Sequence, residues 1–339
     1  MRIAYVLPYP ELNGGNKVIF QHAGLLRDNG DEVTVLGEGP RPDWIDIGGE
    51  YQDYSVSPPR LREQDLVIAT YWTTLPLARQ LGAGPVAHFC QGYEGGLAHL
   101  QPLRPRIEEV YSWKVPALTV SPHLADLLRQ RFGRESVVVP PPLDPLFRPA
   151  WRLRPRRRPR IAVPGIFEAE VKDVPTALEA VRRLRGQGIA CRLLRFSVMP
   201  LCEEERALLP ADLFLSGVPP REIARALRRC DLLLFASRAE EGFGLPLLEA
   251  MASGVPAVAS RIPSTADMAE GVAALVPPGD AEAFSAAARE LVSNPSAWRR
   301  ARALGIQAAG RFRPEAVAPR LIEGVRWARD WALRYPPGP

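Results

Sequence analysis

The chain has 339 residues, of which 46% are apolar and 24% charged, and this composition is typical of a globular protein rather than a disordered or fibrous one. The length suits two domains of roughly 150 residues each. The 43 Lys and Arg residues against 38 Asp and Glu leave a formal charge of +5, which permits an anionic ligand or membrane surface without requiring one.

Neither a membrane span nor a leader peptide is predicted. No apolar run approaches the roughly 20 residues that cross a bilayer, and the strand predicted at Met1 to Leu7 lacks the regions of a signal peptide. We therefore expect a cytoplasmic protein, with peripheral contact at the inner face of an anionic membrane left open. The cysteines form no C-x-x-C pair and have no histidine at metal-ligand spacing, which favours buried thiols over a zinc site: Cys90, Cys191, Cys202 and Cys230.

The first half of the chain begins with a strand, a glycine-bearing loop, a helix and a strand. Arg2 to Leu7 is the first strand, Gly14-Gly15 lies in the loop, the helix runs from about Lys17 to Asp28, and Glu32 to Leu36 is the next strand. Residues 41–62 are rich in Pro, Asp and Tyr and predict irregular structure. The order is Rossmann-like, but neither half contains G-x-G-x-x-G, which excludes a nicotinamide oxidoreductase.

Two later strands carry residues that could contact a ligand. Asp65 to Thr70 ends beside Trp72 and neighbouring threonines, which are plausible acceptor contacts, although a packed aromatic is the simpler interpretation. Pro85 to Cys90 contains His88 near its carboxyl edge, where a lone histidine would ordinarily be a satisfied core residue.

Residues 151–160 read WRLRPRRRPR and mark the clearest boundary in the chain. They predict an N-terminal domain over residues 1–150 and a C-terminal domain over residues 161–313. Such a run of arginines could bind anionic lipid or polyphosphate. A solvated connector is the preferred interpretation.

The second half repeats the strand–loop–helix pattern and contains the most informative stretch, residues 231–260. Asp231 to Ser237 predicts a buried parallel strand, Leu245 to Ala252 a helix and Ala257 to Ala259 another strand. Ligands of open α/β sheets lie outside the carboxyl ends of the strands, so the loop over residues 238–244 is the expected site.

The chemistry of this loop suits a polar, partly anionic ligand. Gly244 allows close backbone approach, and the amides of Phe243, Gly244 and Leu245 open a helix N-terminus that favours phosphate. Glu241 and Glu249 could each accept two hydroxyl hydrogen bonds from a vicinal diol. Taken alone, either glutamate would be read as a helix-start or surface residue, but the combined pattern favours a site.

The segment Glu241 to Val258, E-G-F-G-L-P-L-L-E-A-M-A-S-G-V-P-A-V, resembles the donor-site signature of GT-B glycosyltransferases of family 4, the glycosyl transferases group 1. The resemblance implies an α/β protein with two Rossmann-like parallel-sheet domains facing across a cleft. It further implies a retaining enzyme that moves a sugar from a nucleotide-diphosphate sugar to a hydroxyl acceptor. A helix over residues 314–333 would brace the first domain. The string His88 to Glu94 is also similar to a rhamnosyltransferase-like branch.

The resemblance assigns roles in the donor domain. Glu241 would hold the hydroxyls of the donor sugar, and Glu249 the ribose. Lys172, with the amides of Gly244 and Leu245, would stabilise the leaving diphosphate. Phe243 belongs to the same donor-binding loop.

The resemblance also assigns residues elsewhere in the chain. Gly14 and Gly15 match paired glycines near the donor sugar and phosphate, although a flexible turn explains them nearly as well. His88 would face the cleft and help position the anomeric centre. Gly217 and Val218 match the place where backbone contacts the nucleobase.

Two departures from the family pattern are visible. Ile166 stands where an arginine usually contacts the donor diphosphate, and the segment around Asp144 lacks the usual asparagine. The first motivates an alternative, a catalytically weak scaffold that binds a nucleotide or protein partner. No metal is expected, because no D-x-D follows a strand, and neither a resident cofactor nor a nucleic-acid partner is predicted. The acceptor is left open as a glycan, a lipid-linked sugar or a small molecule.

Overall fold

The computed structural model describes residues 1–336, and the chain forms two compact units. Unit 1 contains residues 1–142 together with the C-terminal segment that starts at Pro314, and unit 2 is the continuous segment Leu143–Arg313. Among the helices described, none combines the length and the apolar character needed to cross a membrane.

Unit 1 is built on a seven-stranded sheet in which all strands are parallel. Its strands are β1 (Arg2–Val6), β2 (Glu32–Gly37), β3 (Glu50–Asp53), β4 (Leu66–Ala69), β5 (Val86–Cys90), β6 (Ala117–Thr119) and β7 (Ser136–Val138), arranged in the order β3-β2-β1-β4-β5-β6-β7. Residues 3–6 of β1 and all of β4 are fully buried, as expected for a parallel sheet covered on both faces.

The helices of unit 1 are α1 (Gly14–Asp28), α2 (Thr74–Gln80), α3 (Arg104–Tyr111), α4 (Pro122–Phe132) and a C-terminal helix (Pro314–Arg334). The C-terminal helix packs on the sheet through Gly324, where an added Cβ would lie 2.7 Å from Val139 Cγ2 and 3.3 Å from Leu118 Cδ2. Only glycine permits this close approach.

Unit 2 contains a second parallel sheet, of six strands. These are β8 (Arg160–Pro164), β9 (Arg192–Ser197), β10 (Leu213–Ser216), β11 (Leu232–Phe235), β12 (Ala257–Ser260) and β13 (Ala274–Val276), in the order β10-β9-β8-β11-β12-β13. The helices are α5 (Val174–Gly186), α6 (Glu203–Leu208), α7 (Pro220–Leu227), α8 (Leu245–Ala252), α9 (Pro263–Ala269), α10 (Ala281–Ser293) and α11 (Pro295–Ala309). The predicted α/β class is therefore confirmed in both halves.

The two compact units divide after Pro142, whereas the sequence predicts a domain boundary at residue 150. Residues 143–150 belong to unit 2, because the Leu143 amide donates to the Phe312 carbonyl at 2.6 Å and the Phe147 side chain is buried. The Arg302 guanidinium also donates to the Ala150 carbonyl. The prediction placed the boundary at the change in composition, whereas the packing changes eight residues earlier, after Pro142.

Candidate active site

The candidate site of unit 2 lies where the order of its strands reverses. β8 and β11 are neighbours, and the chain continues from them toward opposite edges of the sheet, which opens a crevice at their carboxyl ends. The loop after β8 starts at Gly165, and the loop after β11 runs to Gly244. The two loops meet where the Arg238 amide donates to the Val171 carbonyl at 2.8 Å.

Lys172 and Glu241, predicted from the sequence as partners in one site, form an ion pair across these loops. Lys172 Nζ lies 2.7 Å from Glu241 Oε2, and the Ser237 hydroxyl donates to the same oxygen at 2.9 Å. Glu241 is only 8% exposed. Within residues 1–336 its other oxygen, Oε1, accepts no hydrogen bond, so one acceptor remains available to a ligand hydroxyl.

A glycine turn positions Lys172. Gly165 has a φ of +115°, and an added Cβ would lie 3.0 Å from Lys172 Cβ, so a larger residue would strain the turn and displace the lysine. Beneath the turn, the guanidinium of the fully buried Arg195 donates to the Gly165 carbonyl at 2.9 Å and to the Val163 carbonyl at 2.6 Å. Glu205 balances its charge, with Oε1 2.6 Å from Arg195 Nε.

A second clamp holds the short turn Glu170–Lys172. Arg238 forms an ion pair with Glu170 at 2.6 Å and approaches Asp173 Oδ2 at 3.6 Å. Asp173 has a φ of +41° and is the only non-glycine residue with positive φ in the described part of the chain. That conformation costs free energy, which the contact with Arg238 helps to offset.

Helix α8 begins with an open backbone donor rather than with a side-chain cap. Gly244 precedes its first residue with a φ of +92°, and an added Cβ there would lie 3.3 Å from the Phe235 ring. No side chain caps the helix, and Pro246 contributes no N–H, so the amide of Leu245 is an open donor of the first turn. Glu249 lies in the second turn and is half-buried.

Other residues fix or extend this edge of unit 2. The Phe243 ring packs edge-to-face on Phe312, with ring centroids 5.5 Å apart. Gly217, with a φ of +59°, and Val218 follow β10 at the same edge of the sheet. Their predicted contact with a nucleobase stays a prediction.

The arginine missing at Ile166 has no replacement among the arginines that contact this turn. Ile166 is half-buried, and its carbonyl accepts the Ala169 amide. Arg195 is fully buried and Arg238 is ion-paired. Lys172 is also ion-paired, but its partner Glu241 is a residue of the candidate site, whereas the partner of Arg238 is Glu170 of the turn itself.

In unit 1, Gly14 and Gly15 form the start of α1. The Asn13 side chain caps the helix by accepting the Asn16 amide at 2.8 Å, and Gln91 Nε2 donates to the Gly15 carbonyl at 3.3 Å. The glycines thus lie beside the loop that follows β5. Trp72 is buried, as the packed-aromatic interpretation expects.

His88 lies on the strand predicted to carry it, but its side chain is enclosed by the fold, and its role at the anomeric centre stays a prediction. His88 is the central residue of β5 and is 0% exposed. Its Nδ1 lies 3.3 Å from Arg134 Nη1, and its ring packs edge-to-face on Tyr111. Burial, and then the charge of Arg134, hold the pKa of the imidazole well below its usual value. The ring presents no surface to a ligand.

Glu94 is a buried carboxyl that the sequence did not single out. It follows β5, and the Tyr111 hydroxyl donates to it. Burial raises the pKa of Glu94 to about 7, against the opposing hydrogen bond from Tyr111. The same cluster contains Cys90, whose Sγ lies 3.2 Å from the Gly92 carbonyl and whose thiol pKa burial raises to about 12. The sequence signal of Glu94 was a glutamate in the short loop that follows a buried strand.

Glu94→Gln is expected to change the pH dependence of stability. Because the folded pKa exceeds the usual 4.5, the folded chain binds more protons between about pH 4.5 and 7. The stabilisation by protonated Glu94 is complete below that window and falls by about 3 kcal/mol as the pH rises through it. The difference in urea midpoint between wild type and variant at pH 5 and pH 8 measures this, since contributions common to both cancel.

The exposed Glu109 on α3 provides the matched control for Glu94. Glu109→Gln should leave the pH profile of the wild type unchanged. An equal pH dependence in Glu94→Gln and wild type would show that Glu94 does not titrate in the window stated.

Among residues 1–336, no group of three or more His, Cys, Asp or Glu side chains is placed to hold a metal ion. Independence from metal stays a prediction. All four cysteines are free thiols.

The family match covers the segment that contains the candidate site. Residues 158–294 match the model of the family described as glycosyl transferases group 1. D-inositol 3-phosphate glycosyltransferase of Segniliparus rotundus is 29% identical over 182 residues, which is 52% of this chain but 38% of that protein. Phosphatidyl-myo-inositol mannosyltransferase of Mycolicibacterium smegmatis is 28% identical over 326 residues, 85% of this chain and 83% of that protein.

Solved structures show the same fold. Anabaena Alr3699/HepE in complex with UDP-glucose has a TM-score of 0.80 at 15% identity and covers 96% of this chain and 100% of that one. Sucrose-phosphate synthase from Thermosynechococcus elongatus has a TM-score of 0.78 at 17% identity, with 96% and 98% covered. At these identities the likeness establishes the fold alone.

Proposed function

Because the chain is a GT-B protein whose residues 158–294 belong to the glycosyl transferases group 1, we propose that it is a retaining glycosyltransferase. It moves a sugar from a nucleotide-diphosphate sugar to a hydroxyl acceptor. The observation that carries the proposal is the ion pair between Lys172 and Glu241 at the carboxyl edge of the sheet of unit 2. The names of the relatives and the UDP-glucose bound to Alr3699/HepE support it.

The two partners of the ion pair suit different parts of the donor: Lys172 suits the diphosphate and Glu241 the sugar hydroxyls. A donor diphosphate competes with Glu241 for the ammonium of Lys172, whose side chain is 29% exposed. The open first turn of α8, with the Leu245 amide, adds the field of a helix N-terminus. Both stabilise the negative charge that develops on the leaving diphosphate.

Glu241 then binds the donor sugar. Its Oε1 accepts a sugar hydroxyl, while Ser237 keeps the carboxylate oriented through Oε2. Glu249, one turn into α8, accepts the ribose hydroxyls. These contacts fix the anomeric carbon relative to the diphosphate and reduce the entropy cost of reaction.

The reaction needs no covalent intermediate on the protein. The bond between the anomeric carbon and the diphosphate oxygen breaks, and a bond to the acceptor oxygen forms on the same face. The acceptor proton passes to the leaving phosphate oxygen. The hydroxyl acceptor is a glycan, a lipid-linked sugar or a small molecule; two relatives bear the names of inositol-based acceptors.

Nucleoside diphosphates are expected to stabilise the chain against heat. UDP, GDP, ADP and TDP are compared by thermal unfolding, and the right base at 100 times its dissociation constant adds about 2.7 kcal/mol. Lys172→Met should weaken the binding of that diphosphate about tenfold or more, because an ion pair with phosphate is lost. The exposed Lys114 of unit 1 provides the control, and Lys114→Met should bind as wild type does.

The stereochemistry of transfer completes this test. The anomeric configuration of the product, read by NMR coupling, should equal that of the donor. An inverted product would overturn the retaining mechanism. If none of the four diphosphates raised the melting temperature, the proposed donor site would be refuted and the scaffold alternative would stand.

A further inference from the structure

The arginine-rich segment Trp151–Arg158, called the basic strip below, is held on unit 2 by one buried carboxylate. Asp231 has no exposed surface and lies 2.7 Å from Arg152 Nη1 and 3.1 Å from Arg156 Nη1. It also accepts the amide of Arg160 at 2.9 Å. Arg152 and Arg156 therefore attach the strip to unit 2, and their charges are paired with Asp231.

The backbone of the strip is fastened as well. Arg299 Nη1 donates to the Leu153 carbonyl at 3.4 Å, and Arg302 donates to the carbonyl of Ala150, directly before the strip. The strip thus lies on unit 2 with a defined orientation, so the solvated connector favoured from composition is an incomplete description of it.

The remaining arginines of the strip face solvent without partners. Arg154, Arg157 and Arg158 are exposed, and no carboxylate of the described residues lies within 4.0 Å of their guanidinium groups. Some exposed arginines elsewhere on unit 2, such as Arg182 and Arg225, form ion pairs with a glutamate, whereas others, such as Arg192 and Arg289, stand singly. The strip differs in placing three exposed arginines, none ion-paired to a described residue, within five residues. The strip therefore concentrates positive charge that the fold does not neutralise.

Two large apolar side chains are exposed beside these charges. Trp151 is 88% exposed and Leu153 is 58% exposed. Tryptophan with its ring in water and arginines around it is typical of segments that lie in a membrane interface, where the indole is partly buried among headgroups.

The strip borders a shallow groove of about 820 Å³ that lacks acidic side chains. Besides residues of the strip and Pro159, its lining consists of Gly188, Ile189, Ala190, Val292, Ser293 and Pro295. β8 starts directly after the strip, so the groove lies at the amino edge of the sheet. The ion pair of Lys172 and Glu241 lies at the carboxyl edge, which leaves it open when the amino edge is covered.

We infer that the basic strip docks unit 2 on an anionic lipid surface. Trp151 and Leu153 enter the headgroup region, and Arg154, Arg157 and Arg158 pair with lipid phosphates. A soluble polyanion would satisfy the arginines but leave the indole and leucine in water. A neutral apolar partner would leave three charges unpaired. The combination of charge and apolar exposure fits the membrane surface. This inference does not depend on the proposed function.

Vesicle flotation of the full chain tests the docking. Vesicles of phosphatidylcholine with 30% phosphatidylglycerol should bind the wild type, and phosphatidylcholine alone should not. The triple variant Arg154→Gln, Arg157→Gln, Arg158→Gln should partition about 100-fold less, since each arginine near an anionic surface contributes about fivefold. Brominated lipid should quench wild-type tryptophan fluorescence, and Trp151→Phe should lose that quenching.

The control removes the same charge from unit 1. Arg41, Arg60 and Arg62 are exposed and have no ion pair within the described residues, and their triple glutamine variant should float as wild type does. Melting temperatures of both triple variants confirm folding. An equal loss of vesicle binding in the two triple variants would show that only net charge matters, and would overturn the inference. So would binding to neutral vesicles, or tight binding to RNA with no quenching by brominated lipid.

Discussion

Glu241→Gln is expected to lower kcat/KM for sugar transfer about 100-fold. Glutamine keeps the shape of the side chain but loses the charge that pairs with Lys172 at 2.7 Å and that accepts the donor hydroxyl. A hydrogen bond from a sugar hydroxyl to a charged carboxylate contributes up to about 3 kcal/mol, or roughly 100-fold. The lost contact with Lys172 does not add to this, because the donor diphosphate competes for the same ammonium. Binding of the diphosphate alone should change less than tenfold, because it depends on Lys172 and the α8 amides.

Glu240 is the matched control, since it is the preceding residue and is exposed. Glu240→Gln should transfer sugar at the wild-type rate. Retention of activity by Glu241→Gln within a factor of three would remove Glu241 from the sugar site. Loss of activity and diphosphate binding together would indicate a damaged loop rather than a lost hydroxyl contact.

Glu205→Ala is expected to be the most destabilising single change considered for this chain. Arg195 is 0% exposed and Glu205 is its carboxylate partner at 2.6 Å. Removing the partner of a buried pair leaves an uncompensated charge, at a cost of about 3–5 kcal/mol. The midpoint of urea unfolding measures the loss. Because Arg195 also holds Gly165, the Lys172 turn should loosen in the same variant.

Glu179, a half-buried residue that pairs with the exposed Arg182 and Arg183, provides the comparison. Glu179→Ala should cost about 1 kcal/mol or less, because exposed pairs contribute little. The double variant Arg195→Met, Glu205→Met should recover most of the stability lost in Glu205→Ala, since it removes the buried charge altogether. A double variant no more stable than Glu205→Ala would show that lost packing, not charge, sets the cost.

Periodicity and turn residues predicted the elements of the fold that have strong local signals. The helix at Leu245–Ala252 was predicted with its observed bounds, because Gly244 and Gly254 flank it. Strand β3 was missed, because the edge strand Glu50–Asp53 carries polar side chains that only partly enter the core. β3 is a strand because it pairs with β2, and a single sequence does not show that pairing.

The candidate site was predictable where chemistry and spacing coincided. Lys172 and Glu241 lie 69 residues apart, and only the parallel arrangement of β8 and β11 brings them together. Ser237 could have been noticed as the polar residue that ends a buried strand. Arg195 also had a signal, since an arginine within an apolar strand requires a carboxylate partner.

His88 shows why the surroundings of a side chain are harder to predict than the strand that carries it. The predicted strand Pro85 to Cys90 ends where β5 ends, but the burial of His88 depends on residues distant in the sequence. The contact with Arg134, 46 residues away, depends on the pairing of β5 with β6, which the pattern of β5 alone does not encode.

Unit 1 cannot complete its fold during synthesis until its C-terminal helix has been translated. Unit 1 contains residues 1–142, yet the helix that packs through Gly324 on Val139 and Leu118 is translated only after all of unit 2. At about 5–20 residues per second, the 171 residues of Leu143–Arg313 delay it by roughly 10–35 s. During that interval the ribosome carries an unfinished first unit with an uncovered apolar face, while the continuous second unit can complete its fold, so nascent chains should depend on chaperone protection of residues 1–142.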